Sequence, residues 1–502
     1  MTTEKSYGQI LKSSSIMGGA AGITLLLVMM RTKFAAVLLG SSGMGMIAGF
    51  TAIQSLISTV AGLGIQSSAV REIAVTVSKG DEQTIGRVVL TLRRVCWLTG
   101  LVGMATLMAF SPVLSSLTFN SDEHTLDIAL LGLTILLANL AGGQLALLQG
   151  MRHIGDIARA NIGGAIFATL SAIGFYYWMG LRGIVPSLIS IAFIQLAITW
   201  YFVRRVPVPP IELTWRQTFR VANNMVKLGL VFMWNGLMIS AVSYVTIILI
   251  TKEIGLHAVG LYSAAFALSG VFANYVLGAM GADYYPRLTG VAQEKAAVNR
   301  LVNEQTEIGL LLALPGLLAT LTLAPWILQI FYTREFLGAV ELLQWFVLGC
   351  LGRVIALPLG YVMLALGKQR WFLLTETSAN IAHLAFVVIG LKWIGIEGVA
   401  IAYFVLYLGY VIAVYFVCRH LTGFNWSTGC RKIALYTLPV SAFIFVACRS
   451  FPGWPTTLFG TAITIDIGVF CVRELARRLG PEHRVVRLIG LLPGVRLIFN
   501  SK

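Results

Sequence analysis

LLQWFVLGCLGRVIALPLGYVMLALG, residues 342–367, is a run of 26 residues in which Arg353 is the sole charged side chain. As a helix rising ~1.5 Å per residue it reaches roughly 39 Å, more than the ~30 Å hydrocarbon core of a bilayer. Alternating strands of a β-barrel do not have this form. The run is a membrane-spanning helix, and a guanidinium sits near its middle.

Similar runs lie on both sides of it. Together they predict about fourteen spans, at 12–38, 45–69, 95–118, 127–149, 160–180, 184–203, 228–250, 258–281, 306–330, 338–364, 371–391, 397–418, 433–448 and 456–472. The composition agrees: 57% of the 502 residues are hydrophobic and 12% are charged. Soluble domains carry about twice that share of charge, so a cytosolic enzyme, a disordered chain and a disulfide scaffold are all excluded. Cys96, Cys350, Cys418, Cys430, Cys448 and Cys471 lie in or beside apolar runs without CxxC spacing and read as packing residues. The N-terminal MTTEKSYGQILKSSS leads into apolar sequence without a cleavage pattern and reads as a retained first span.

The net charge of +16 comes from 37 Lys and Arg against 21 Asp and Glu. With the N-terminus placed in the cytoplasm, 29 of the 37 cations fall in inside segments, five in outside segments and three within spans. That alternation follows the positive-inside rule and predicts cytoplasmic N- and C-termini. It accounts for the charge without nucleic acid. The basic tail, with Arg477, Arg478, Arg484, Arg487 and Arg496, suits an anionic leaflet as well as topology. The short outer loops leave no room for a catalytic domain there.

An internal repeat is visible. Gly40 and Gly45 recur as Gly255 and Gly260, and Gly180 and Gly183 recur as Gly395 and Gly398, all at an offset of 215. Spans 1–6 and 7–12 therefore read as parallel six-helix repeats, with a site expected between two bundles and two further spans appended. The predicted fold is an all-α polytopic transporter. Its expected divisions are an N-lobe over 1–205, a C-lobe over 206–425, an extra helix pair over 426–473 and a basic cytoplasmic tail over 474–502.

The three cations within spans are Arg31, Lys33 and Arg353. A charge at mid-bilayer costs at least ~2.5–3.5 kcal/mol on insertion scales, so each calls for a function or a partner. Together they suggest a cationic cavity for a phosphorylated, anionic substrate, which Arg grips bidentately. Glu376 is the candidate for carrying a coupling ion or for pairing with Arg353. Glu307 and Glu341 read as interfacial, and Asp466 lies in the last span. Asn235, Asn274, Asn380, Gln144 and Ser243 are neutral polar groups that either line a cavity or join helices. Pro315 and Pro358 are candidate hinges. No nucleotide, metal or hydrolase motif is present, so neither a cofactor nor enzymatic chemistry is expected.

The stretch EIGLHAVGLYSAAFALSGVFANYVLGAMGADYYPRLTGVAQE, residues 253–294, resembles the Wzx-type O-antigen and oligosaccharide flippases, most specifically in GADYYPRLT (281–289). Residues 147–162 and 345–376 are similar to further segments of that family, and the likeness covers roughly residues 10–420. The resemblance implies membership of the multidrug/oligosaccharidyl-lipid/polysaccharide superfamily. It implies two six-helix lobes opening alternately as a V, and ion-driven movement of an undecaprenyl-pyrophosphate-linked oligosaccharide from the cytoplasmic to the periplasmic leaflet. Membrane lipids, a polysaccharide polymerase and a chain-length regulator are the implied partners. Arg31, nine residues before Gly40, resembles one of the first-span arginines of the related lipid II flippases. Family members usually have about twelve spans, so the last pair departs from the pattern. The rival readings are a MATE-like drug or cation antiporter, which favours an acidic cavity, a lipid II flippase, and a membrane polymerase or ligase, which needs a large outer loop.

Overall fold

The computed structural model describes residues 3–451 and 453–479. Beyond Leu479, the basic tail expected over 474–502 lies outside the described residues. The described chain is built of fifteen α-helices: α1 (Thr3–Gly62), α2 (Ile65–Lys79), α3 (Glu82–Phe119), α4 (Thr125–Gly150), α5 (Ile154–Met179), α6 (Ile184–Val203), α7 (Trp215–Glu253), α8 (Leu256–Gly290), α9 (Lys295–Thr322), α10 (Ala324–Phe331), α11 (Val340–Ala365), α12 (Gln369–Ile394), α13 (Ile396–Thr422), α14 (Thr428–Ser450) and α15 (Trp454–Leu479).

Among the described residues, twelve continuous helical segments are long and apolar enough to cross a membrane. Two of them are too long for one pass. Met17–Gly62 has 46 residues and Ile154–Val203 has 50, or roughly 70 Å and 75 Å against a ~30 Å core. Each contains a break. Gly40 leaves helical geometry at φ 68°, ψ −170°, and a 3₁₀ turn at Gly180–Gly183 separates α5 from α6. Counting these two segments twice gives the fourteen passes expected. The two short terminal spans are longer than predicted: α14 has 23 residues and α15 has 26. The protein is a multi-pass, all-helical membrane protein.

The repeat is visible in backbone geometry at the same offset of 215. Gly40 and Gly255 both have positive φ, 68° and 114°. Gly180 (φ 57°, ψ −133°) and Gly395 (φ 79°, ψ −149°) share one unusual conformation that a side chain would oppose. The turn after α4 is closed by His153 N–H donating to Leu148 O at 2.9 Å. Its counterpart after α11 is Lys368 N–H donating to Met363 O at 2.8 Å. Trp178 and Trp393, 215 residues apart, are 83% and 84% exposed at the ends of α5 and α12, where an aromatic belt is expected. The connections also approach each other reciprocally. A methyl group on Gly45 would strike the carbonyl of Leu256, and one on Gly260 would strike the carbonyl of Ser41, which is the repeat counterpart of Leu256. The Ser41 hydroxyl and His257 Nδ1 lie 2.5 Å apart beside this approach.

The chain forms two compact units: Met1–Gly260 with Phe331–Thr333, and Leu261–Ile330 with Arg334–Lys502. This division differs from the repeat boundary expected at 205/206. Helix α7, which opens the second repeat, packs on α1, α2 and α3 in the first unit. The core of the first unit is Ile65, Ile73, Val88, Leu92, Leu148 and Met225 on α2, α3, α4 and α7. In the second unit, Tyr284, Leu288, Val302, Leu359, Met363 and Val414 join α8, α9, α11 and α13. All six cysteines are free, and five are buried.

Candidate functional site

The second unit carries its polar groups on three neighbouring helices. On α11, Gly349 and Gly352 thin the helix surface. A methyl group on Gly349 would collide with the Tyr403 ring, and one on Gly352 would lie 3.0 Å from Tyr407 Cβ. Without those glycines α13 could not bring its tyrosines against α11. Arg353 follows directly and is half-buried. It lies within hydrogen-bonding reach of the Tyr403 hydroxyl and in the electrostatic range of Tyr407 and Cys350.

Helix α13 presents Tyr403, Tyr407 and Tyr410 at i, i+4 and i+7, a single face. The ring centroids of Tyr403 and Tyr407 are 4.8 Å apart, and those of Tyr407 and Tyr410 are 6.3 Å apart. Helix α12 presents Glu376, Asn380 and His383 with the same spacing. The Tyr410 hydroxyl donates to the Glu376 carboxylate. Asn380 Nδ2 donates to the Glu376 backbone carbonyl at 2.8 Å, and the His383 ring lies 5.9 Å from that of Tyr403. Tyr407 is within electrostatic range of both Arg353 and Glu376. Among the described residues, no ion pair joins Arg353 to Glu376. The guanidinium has the Tyr403 hydroxyl beside it and no carboxylate, which leaves its charge uncompensated and its remaining N–H donors available to an anion.

The first repeat lacks this chemistry. Its counterparts, 215 residues earlier, are Ala138 for Arg353, Asn161 for Glu376, and Leu188, Ala192 and Gln195 for the three tyrosines. Ala138, Leu188, Ala192 and Gln195, with Gln54, instead line a cavity of about 340 Å³. The duplicated position has become charged and aromatic in one repeat and hollow in the other.

Arg31 and Lys33 both lie on α1 in the first unit, but residues two apart on a helix do not share a face. Arg31 is half-buried in electrostatic range of Tyr176 on α5. Lys33 donates from Nζ to the backbone carbonyl of Tyr332 and so ties down the segment Phe331–Thr333. Asn235 Oδ1, Ser58 Oγ and Asn139 Nδ2 are buried without a partner. Close by, Ser240 Oγ lies 3.4 Å from Ser55 Oγ and 3.3 Å from Thr59 Oγ1 where α7 meets α1. Asn274 and Ser243 are exposed. Gln144 acts as a helix fastener, accepting from Thr199 Oγ1 at 2.6 Å.

The remaining acids have structural partners. Glu307 on α9 is buried, ion-paired with Arg478 on α15, and accepts from Ser427 Oγ at 2.5 Å. Glu341 and Glu397 share Arg449, the latter also accepting from Trp345 Nε1 at 2.8 Å. Asp466 accepts from the Tyr436 hydroxyl at 3.3 Å. Pro315 and Pro358 sit inside helices that run unbroken through them, and the Pro358 carbonyl accepts from the Tyr284 hydroxyl at 2.9 Å. No group of three metal-ligating side chains occurs among the described residues.

Comparison with known proteins agrees with this architecture. The family described as polysaccharide biosynthesis protein matches residues 35–341. The lipid III flippase of Escherichia coli strain K12 is 22% identical over 393 residues, covering 75% of this chain and 90% of the relative; the Shigella flexneri protein of the same name matches equally. An inward-facing multidrug resistance MATE family transporter of the MOP superfamily superposes with a TM-score of 0.66 at 14% identity, over 80% of this chain and 96% of the other. The lipid II flippase MurJ in an inward closed conformation superposes with a TM-score of 0.63 at 14% identity, over 93% of this chain and 99% of the other. The fold is that of the MOP-superfamily transporters.

Proposed function

This chain belongs to the polysaccharide biosynthesis protein family, and on that footing we propose that it is a flippase for lipid-linked glycans. The substrate is an undecaprenyl-pyrophosphate-linked oligosaccharide, the repeat unit of O-antigen or a related surface polysaccharide. It passes from the cytoplasmic to the periplasmic leaflet of the inner membrane, with both termini of the protein cytoplasmic.

The observation that carries the reading is Arg353, a mid-span guanidinium beside the Tyr403 hydroxyl and without a carboxylate partner among the described residues. Such a group attracts a pyrophosphate, whose oxygens accept the paired N–H donors of the fork. The tyrosines of α13 add hydroxyls and ring faces suited to sugar. Arg31 supplies a second uncompensated cation in the first unit. Glu376, bonded to Tyr410, is the group that takes up a coupling cation or proton and biases one conformation over another. A ligand shifts such an equilibrium only through differential affinity for the two states, which is how alternating access would be driven. A drug-cation antiporter would want acids where this site has its arginine.

The test is complementation. In a strain lacking its own O-antigen flippase but keeping the glycosyltransferases, this chain should restore surface glycan, and Arg353→Ala should abolish that rescue at unchanged protein abundance. Full rescue by Arg353→Ala would remove the site assignment.

A further inference from the structure

A second site lies away from the one described, in the first unit. Helices α3 and α6 both pack on α4, and between them runs a groove of about 760 Å³ floored by Leu140, Gly143 and Leu147. Its walls are apolar. Trp97, Phe193 and Trp200 line it and are each more than half exposed. Gly143 keeps the floor low, since a methyl group there would meet Cys96 Sγ at 2.7 Å. On α6 the groove runs from Phe193 to Arg204, eleven helical steps. That is roughly 16 Å, about half of a ~30 Å hydrocarbon core, so the depth of one leaflet.

Its polar end is cationic. Arg93, three turns into α3, and Arg204, the residue that follows α6, both line the groove. Among the described residues, neither has an ion pair. Arg204 lies over the rings of Trp200 and Tyr201 at 5.1 and 4.9 Å, which orients the guanidinium without neutralising it. The neighbouring Arg94 is differently employed. It donates to Leu213 O and Thr218 Oγ1, both at 2.8 Å, and fastens α3 to α7. Two unneutralised arginines above a one-leaflet apolar slot therefore call for an amphiphile with a negative head.

We propose that this groove is a binding site for an acidic phospholipid of the leaflet on the basic-loop side. The phosphate sits between Arg93 and Arg204, and an acyl chain lies along Trp97, Phe193 and Leu196. A polyprenyl chain much longer than one leaflet does not match the length of the slot. The bound lipid acts as a wedge between α3 and α6, both of which pack on α4.

Native mass spectrometry of the full chain in detergent, titrated with dioleoyl-phosphatidylglycerol or dioleoyl-phosphatidylcholine, tests this. One phosphatidylglycerol should be retained in preference to phosphatidylcholine. Arg93→Gln with Arg204→Gln should weaken that retention about thirtyfold, from about fivefold per cation. Ala197→Phe, at an exposed position in the groove, should expel the lipid with both arginines intact. Equal retention of the two lipids, retention indifferent to either variant, or displacement of phosphatidylglycerol by equimolar undecaprenyl phosphate would each overturn the proposal.

Discussion

Replacing Arg353 by Met separates a working cation from a structural one, because the two roles predict opposite changes in stability. On insertion scales an Arg at the centre of a span costs ~2.5–3.5 kcal/mol, whereas an apolar residue there costs nothing. The substitution also loses one bond to the Tyr403 hydroxyl, worth about 1 kcal/mol. With no carboxylate left unpaired, the net effect on stability is about zero or favourable. The functional loss runs the other way. A bidentate grip on a phosphate makes two charge-assisted hydrogen bonds of about 1.5–3 kcal/mol each, so transport should fall by roughly 10²–10⁴. Arg353→Lys keeps the charge without the fork and should retain part of the activity. The assay pairs surface-glycan display in a flippase-deficient strain with thermal unfolding of the purified protein in detergent. Lost display with an unchanged or raised Tm is the expected result. A fall in Tm of several degrees, with display tracking the amount of folded protein, would refute the reasoning and make Arg353 a structural residue.

Other consequences are as direct. Gly45→Leu or Gly260→Leu should abolish monodisperse protein in detergent chromatography, because either side chain meets backbone; Gly174→Leu, with open space around it, should behave as wild type. Glu307→Leu should lower Tm, costing up to about 3 kcal/mol of stability, by taking from Arg478 its buried partner and leaving it Glu474 alone, and Arg478→Leu added to it should recover part of the loss. Arg449→Ala, which breaks half-exposed pairs with Glu397 and Glu341, should cost under about 1 kcal/mol and shrink further in high salt. Tyr410→Phe removes the donor to Glu376 and should change the dependence of display on the proton or sodium gradient while leaving abundance untouched.

What was legible in the chain, and what was not, follows from the range of each interaction. Span positions are local: an apolar run of about 20 residues declares itself, and the repeat offset is carried by glycines whose backbone conformations recur. Arg353 stood out because charge inside such a run is costly. The tyrosines around it did not, since Tyr is unremarkable in a membrane helix. The signal available was spacing, Tyr403, Tyr407 and Tyr410 on α13 matching Glu376, Asn380 and His383 on α12. Arg31 and Lys33, with ~100° turned per residue, meet different neighbours, Tyr176 and Tyr332. The partner of Glu307 is 171 positions away in a helix outside the repeat, and the packing of α7 on α1, α2 and α3 is equally tertiary. Polar turns extend α3, α5 and α9 beyond their apolar cores, where hydropathy carries no signal.

The central claim is transport of a glycan lipid, and it can be measured on the purified chain. Reconstituted in liposomes with an undecaprenyl-pyrophosphate-linked oligosaccharide, it should carry the glycan across the bilayer, read as loss of protection from a membrane-impermeant glycosidase. Protein-free liposomes and liposomes bearing Arg353→Met should keep the same fraction protected. Undiminished protection in the presence of the wild-type chain, under an imposed ion gradient, would contradict the account.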